Sequence, residues 1–418
     1  MQGNRDRIDH HLRVLVDVVQ RMSRDFALLP LLQAAEHAGR SALKCDRATI
    51  FLYDPDTDEL YSEVATGTTG IRFSAKLGIA GESARTRSVL VVPDAYADAR
   101  FNPEIDKRTG YRTHNILSVP LLMPDGEVIG VLQLLNKVGG RFDSRDEMLA
   151  EALGSLIAIA IKRQILLDAA AERDRLEHEL DIARQIQMQM LPKEKPSIPR
   201  FDVAGWNRPA EQTGGDCFSF FPLDNGRLLF LVADASGHGI GPALVVTQCR
   251  AMVRALSDQV GDLPAMVERL NRLLTADLSS GRFVTACTGV LDSRNNLLNY
   301  ISAGHGPLLF YRAATQQVEI LGSTGLPMAI MEDAEYRPPT VIEFGPDDMF
   351  CLMTDGFTEW ARPDGELYGE QRLIDVIHSQ SLQPAEAIIQ AIYQDVLRFS
   401  EGTRQADDLT AVIIRRTS

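Results

Sequence analysis

The sequence predicts an α+β protein of two domains joined by a long helix, and three observations carry that prediction. At 418 residues the chain exceeds what one hydrophobic core ordinarily serves. Two separate stretches alternate helical and strand-like apolar runs, one ending near residue 160 and one running from about residue 200 to the C-terminus. Between them, from Asp143 to Leu191, Gly154 is the only helix breaker before Pro192 closes the run.

Composition fits a folded globular chain: 45% of residues are hydrophobic and 24% charged, enough to build cores without the signature of disorder. A formal net charge of -14 argues against a nucleic-acid partner, which would demand a basic face. The acidic balance suits divalent-cation sites, although solubility alone would also explain it. The opening MQGNRDRIDHHL lacks the pattern of a secretion signal, so a cytoplasmic protein is expected. LGSLIAIAIKRQILL, the most apolar stretch, is interrupted by Lys162 and Arg163 and reads as a buried helix, with no membrane partner expected. Cys45, Cys217, Cys249, Cys287 and Cys351 are scattered without a C-x-x-C pair and read as reduced core residues.

Residues 1–26 carry an amphipathic helix, and DFALLPLLQAAEHAGRSAL a second. The runs RATIFLYD, DELYSEVA, SVLVVPDA, HNILSVPLLM and EVIGVLQLLN, separated by D-P, D-T-D and P-D-G turns, predict strands of one sheet. In the long helix, Ala169, Arg173, Leu176, Leu180, Ala183, Gln187 and Met190 alternate four and three apart. That spacing fits a short parallel coiled-coil seam, hence a homodimer, with a helix lying on its own following domain as the second reading. The boundaries drawn are an N-terminal helix at 1–26, a sensor-like domain at 27–165, a linker helix at 166–192 and a C-terminal domain at 193–418.

In the C-terminal part Asp216, Asp234, Asp355, Asp407 and Asp408 sit at the ends of apolar runs, beside glycine, alanine or another aspartate. One Asp-Gly reads as a turn. Four such junctions in order can bring carboxylates to one patch as hard ligands for magnesium or manganese.

NRPAEQTGGDCFSFF, VADASGHGIGPALV, ISAGHGPLLF, LMTDGFTEW and ADDLTAVIIR together resemble, in order and spacing, the PPM phosphatases of the SpoIIE-like bacterial branch, over about residues 185–418. The resemblance implies a β-sandwich flanked by helices and a binuclear Mn2+ or Mg2+ centre. It implies Asp216 and a bridging Asp234 as the catalytic metal ligands, with Asp355, Asp408 and the Ala235 carbonyl completing the set. Two such ions would give a hydroxide nucleophile and absorb phosphoryl charge. His238 and His305 invite a general-acid role, yet each lies in a Gly-His-Gly turn and neither is assigned. The branch usually continues GGDxxD, whereas this chain has Ser219 at the last position, which puts a supporting charge there in doubt.

GIAGESARTRSVLVVPDAYADARFNPEIDKRTGYRTHNILSVPLL, followed by Asn136, Lys137, Phe142, Asp146 and Glu147, resembles GAF domains of cyclic-nucleotide phosphodiesterases over about residues 27–165. That resemblance implies cyclic AMP or cyclic GMP as ligand, contacted at Ile79, Ala80, Asn102, Thr109 and Thr113. The free amides at the start of the GIAGESA helix suit the cyclic phosphate. Lys137 and Asp146 can pair as a scaffold beneath the pocket. The expected function is therefore a phosphoserine/phosphothreonine protein phosphatase gated by cyclic nucleotide, acting by family analogy on an anti-sigma-factor antagonist. Two rivals stand beside it: a non-enzymatic phosphoprotein-binding scaffold, and a phosphatase whose sensor domain only dimerises.

Overall fold

The computed structural model describes residues 27–65, 70–278, 281–336 and 338–417, so the helix expected over 1–26 lies outside the described residues. The chain divides into two compact units between Arg175 and Leu176, a point inside the long helix.

The first unit is a six-stranded antiparallel sheet with helices on both faces. It comprises α1 (Leu28–Leu43), β1 (Cys45–Asp54), β2 (Glu59–Ala65), β3 (Ile71–Ser74), α2 (Gly78–Thr86), β4 (Leu90–Val92), α3 (Glu104–Thr109), β5 (Ile116–Leu122), β6 (Val128–Lys137) and the start of α4 (Ser144–Met190), with strand order β3-β2-β1-β6-β5-β4. Strand alternation sorts the side chains: Ala48, Ile50 and Leu52 of β1 pack with α1 and with Leu149–Ile161 of α4, while Phe51 packs with Ala80 and Ala84 of α2. Gly154, the lone helix breaker, has a packing role, since a Cβ there would stand 2.9 Å from Val119 Cγ1. The four-residue edge strand β3 was not anticipated; four residues carry too little alternation to register.

The predicted scaffold pair is present. Lys137 Nζ lies 2.6 Å from Asp146 Oδ1 and donates to the Leu43 carbonyl at 2.9 Å, joining β6 to α1 and α4. Asn136, at φ 59°, accepts from the His114 N–H and donates to the Tyr111 hydroxyl and the Arg112 carbonyl.

α4 runs unbroken for 47 residues, and its buried residues end at Ile161. Of the seam positions, Ala169, Arg173 and Leu176 are exposed, whereas Leu180, Ala183, Gln187 and Met190 are half-buried. The two readings of this helix thus divide along its length.

The second unit is a sandwich of two five-stranded antiparallel sheets. Its strands are β7 (Phe201–Arg208), β8 (Asp216–Leu223), β9 (Arg227–Ala235), β10 (Val284–Asp292), β11 (Leu297–Ala303), β12 (Leu308–Arg312), β13 (Gln317–Leu321), β14 (Thr340–Glu343), β15 (Met349–Met353) and β16 (Leu409–Arg416). They order as β14-β11-β10-β9-β8 and β13-β12-β15-β16-β7. Phe218, Phe230, Val232, Cys287, Phe350, Leu352, Val412 and Ile414 fill the space between the sheets. The outer faces are covered by α5 (Ile240–Ala255) and α6 (Leu263–Asp277) on one side. The short α7 (Gly356–Glu359), α8 (Gly369–Ser379) and α9 (Ala385–Phe399) cover the other.

Candidate functional site

Strand phase places the carboxylates. On β9, Leu228, Phe230 and Val232 face the other sheet while Leu229, Leu231, Ala233 and Ala235 face the helices, so Asp234 continues the inter-sheet row one step past the apolar core. On β8 the same count sets Asp216 before Phe218, and on β16 it sets Asp408 before Thr410 and Val412. Asp216 and Asp234 are direct cross-strand partners, as are Asp234 and Thr285. The charged end of the sandwich is therefore the place where its apolar rows stop.

Close backbone approach brings in the remaining groups. A Cβ on Gly356 would lie 2.1 Å from the Asp408 carbonyl oxygen, which explains the glycine after Asp355. A Cβ on Gly214 would lie 2.6 Å from Asp408 Oδ2, and one on Gly215 would lie 2.9 Å from the Ala235 carbonyl oxygen. Asp408 Oδ1 accepts from the Ala210 N–H at 2.7 Å, and its Oδ2 accepts from the Asp216 N–H at 3.3 Å. Asp407, the other aspartate of that pair, is exposed and accepts from the Asp408 N–H at 2.7 Å.

Burial together with mutual repulsion raises the pKa of these acids. Asp216 is pushed well above the usual carboxylate range by burial first, then by Asp234 and Asp408. Asp234 is pushed up to about 7 by burial, with Asp355, Asp407 and Asp408 adding to it. Asp355 and Asp408 are raised as well, chiefly by burial. Among the described residues no three acidic, histidine or cysteine side chains stand close enough to form a completed cation cage. The donor set nevertheless suits hard cations: it consists of oxygens, and Asp216 Oδ2 is buried without a hydrogen-bond partner. Three residues of the surroundings were missed from sequence. Thr354 Oγ1 accepts from the Thr410 N–H, and Thr410 Oγ1 accepts from Asn207 Nδ2. Their only sequence signal is their phase, since Thr354 and Thr410 continue inter-sheet rows.

The histidines separate. His238 is exposed, with Nδ1 3.7 Å from Glu211 Oε1. His305 is buried, its Nδ1 3.1 Å from Thr285 Oγ1 and its Nε2 without a partner. Ser219 has the phase opposite to Asp216, faces α5, and accepts from Arg250 Nε at 2.7 Å. The departure from GGDxxD thus falls on the helix-facing side of β8, away from the row of carboxylates.

In the first unit a cavity of about 390 Å³ opens at the N-terminus of α2. Ile79, Ala80, Asn102 and Thr113 all line it. Thr109 ends α3, and its side chain lies outside the described residues. Thr113 is committed to scaffolding: its N–H and hydroxyl both donate to Asp106, at 2.7 and 2.8 Å, while Asp106 also accepts from the Tyr96 hydroxyl. Asn102 Oδ1 accepts from the Glu104 N–H at 3.0 Å. Phe51, Phe73, Phe101 and Gln133 also line the cavity and were not singled out from sequence. Strand alternation marks Phe51 and Phe73 as core, Phe101 sits in a loop and Gln133 is a polar strand residue, and none of these settings tells a ligand wall apart in a sequence.

Residues 224–417 match the family described as stage II sporulation protein E (SpoIIE), and residues 28–161 match the GAF domain family. The chain is 27% identical over 246 residues to phosphoserine phosphatase RsbU of Bacillus subtilis, covering 58% of this chain and 71% of that one. It is 25% identical over 265 residues to protein IcfG of Synechocystis sp., covering 57% of this chain but only 41% of the relative's length. Over 113 residues, 26% of this chain and 10% of the relative, it is 37% identical to the cGMP-specific 3',5'-cyclic phosphodiesterase of Drosophila melanogaster. The solved SiaA-PP2C domain of Pseudomonas aeruginosa matches with a TM-score of 0.52 and 24% identity, over 59% of this chain and 99% of that domain, a likeness of fold.

Proposed function

The chain joins a GAF domain, residues 28–161, to a SpoIIE-type phosphatase domain of the PPM family, residues 224–417, and from that premise we propose a metal-dependent phosphoserine/phosphothreonine protein phosphatase regulated by cyclic AMP or cyclic GMP. The observation that carries the enzymatic reading is the register pair Asp216 and Asp234 at the end of the apolar sandwich, with Asp216 Oδ2 buried and unpartnered.

Asp216, Asp234, Asp355, Asp408 and the Ala235 carbonyl would hold two Mn2+ or Mg2+ ions. Bound there, the pair supplies an activated water and positive charge for the phosphoryl oxygens. The chain's own contribution is orientation. Asp408 is aimed by the N–H groups of Ala210 and Asp216, Asp234 stands opposite Asp216 across the ladder, and Gly214, Gly215 and Gly356 let three backbone segments approach closely. Burial and repulsion favour protonated carboxylates in the absence of cations, so metal binding is expected to release protons.

Support for the cyclic nucleotide is the cavity at the α2 N-terminus, bordered by Ile79, Ala80, Asn102 and Thr113, together with the likeness to a cGMP-specific phosphodiesterase. The likeness to RsbU supports a phosphoserine-bearing protein substrate, in the notion of an anti-sigma-factor antagonist. Exposed Leu166, Leu167 and Leu176 on α4 support a homodimer through that helix. Coupling between ligand and site is expected at about five- to 150-fold in affinity.

The test is Mn2+-dependent phosphate release from a phosphoserine peptide, with and without each nucleotide. Asp234→Asn is expected to lower kcat by on the order of 100-fold or more. Phosphopeptide binding without turnover would leave the scaffold reading standing. A rate and melting temperature indifferent to both nucleotides would reduce the GAF domain to a dimerisation module.

A further inference from the structure

We propose that Gln187, near the C-terminal end of α4, is a positioning residue for the carboxylate site, acting through the peptide of Gly214. Its side-chain amide grips that residue from both sides: Nε2 donates to the Gly214 carbonyl at 2.6 Å, and Oε1 accepts from the Gly214 N–H at 3.1 Å. A primary amide sets its donor nitrogen and its acceptor oxygen side by side in one plane, so this geometry fixes the orientation of the Gly214 backbone as well as its distance.

What Gly214 fixes is the approach of Asp408 to Asp216. The Asp408 carboxylate rests against the Cα of Gly214, where a Cβ would lie 2.6 Å from Oδ2 and 3.0 Å from Cγ. The same Oδ2 accepts from the Asp216 N–H two residues further on. Gly214 is buried, and Gln187 is half-buried on a helix stretch whose neighbours Ile186 and Met188 are exposed. An amide side chain on a half-buried helix face is thereby spent on one buried loop residue. Gln187 was one of the seam positions, and its two bonds fit the second reading, in which this end of the helix lies on its own following domain.

Two consequences follow. Displacing the end of α4 by a fraction of a turn breaks both bonds together, since one rigid group makes them. The loop then loses its hold on the gap between Asp408 and Asp216, the gap in which a cation would be ligated. Gln187 thus makes cation affinity depend on the setting of the helix, without touching substrate or cation itself.

This inference rests on the phosphatase reading, and the test separates the two. Mn2+ is titrated calorimetrically into the full chain, and the unfolding midpoint is measured in parallel with EDTA. Gln187→Ala is expected to weaken Mn2+ binding about five- to tenfold, the net scale of one neutral hydrogen bond. The metal-free midpoint should fall by only a few degrees, about 2–4 °C for each kcal/mol lost in a unit of this size, so the variant stays folded for the titration. Raising Mn2+ should restore phosphatase kcat in the variant. Gln187→Glu, which keeps an acceptor for the N–H but no donor for the carbonyl, should also weaken binding and decides the matter if the alanine variant does not fold. Unchanged Mn2+ affinity in the folded variants, with binding abolished in Asp234→Asn, overturns the clamp and leaves the phosphatase reading intact. Absence of Mn2+ binding by the wild-type chain overturns both.

Discussion

His305 makes a quantitative test of how the sandwich end is built. It is 3% exposed, its Nδ1 is engaged with Thr285, its Nε2 has no partner, and burial pushes its pKa down from 6.5 to about 4. A protonated imidazolium would bury a donor with nothing to accept from it. The folded pKa lies below the unfolded one, so the stabilising contribution is full above pH 6.5 and is lost as pH falls toward 4. Relative to pH 7.5 the loss is about 1 kcal/mol at pH 5.5 and about 2–3 kcal/mol at pH 4.5. The buried aspartates act with the opposite sign, because their raised pKa values favour the folded state as pH falls. Only a comparison with a variant isolates the histidine. His305→Gln keeps a polar partner for Thr285 but cannot titrate. Both tryptophans, Trp206 and Trp360, lie in the second unit, so their fluorescence during urea unfolding reports that unit alone. The wild-type chain should lose stability against His305→Gln by the amounts above between pH 7.5 and 4.5. A flat difference across that range would mean that His305 titrates as a solvated histidine and that the burial argument is wrong.

Two other perturbations read the scaffolds of the two units. Lys137→Met removes an ion pair whose side chains are 19% and 14% exposed, leaving Asp146 and the Leu43 carbonyl short of a donor; about 1–3 kcal/mol should be lost, seen as faster amide exchange in β6 and the first turn of α4. Unchanged exchange there would demote the pair to decoration. Ser219→Asp should give Arg250 a charged partner on the helix-facing side of β8 and leave the Mn2+ requirement within about twofold of wild type; a changed metal preference would show that the side chain reaches the carboxylate row after all.

Much of the site was legible because strand chemistry is periodic. Asp216, Asp234 and Asp408 could be read as ends of apolar runs, and the alternation Leu228, Phe230, Val232, Asp234 sets their common face once the sheets are known. The α4 boundaries, Ser144–Met190, follow from a run between Asp143 and Pro192 in which Gly154 is the single breaker. The pairing of Lys137 with Asp146 was also legible, as opposite charges at a strand end and a helix start. What stayed hidden depends on contacts between distant segments. Gln187 carries an ordinary polar side chain at a plausible seam position, and nothing local marks Gly214 as its partner. Gln133 and Phe101 look like any residues of a sheet and a loop until the cavity between them is seen. Thr285 and Asn207 become relevant only through cross-strand register, which a single sequence does not print.

The ladder between β8 and β9 sets a counting rule for anyone altering this protein. Its two aspartates face each other because the turn at Asp224–Gly226, with Asn225 at φ 64° and Gly226 at φ 76°, returns the chain in one register. Removing a single residue between Cys217 and the turn would carry Asp216 to the helix side and bring Cys217 into the gap between the sheets. Removing two would restore the facing but misalign the pair by one pleat. Length changes in this hairpin are therefore not interchangeable: odd ones should abolish cation binding outright, and even ones should leave a folded sandwich with a displaced, weakened site.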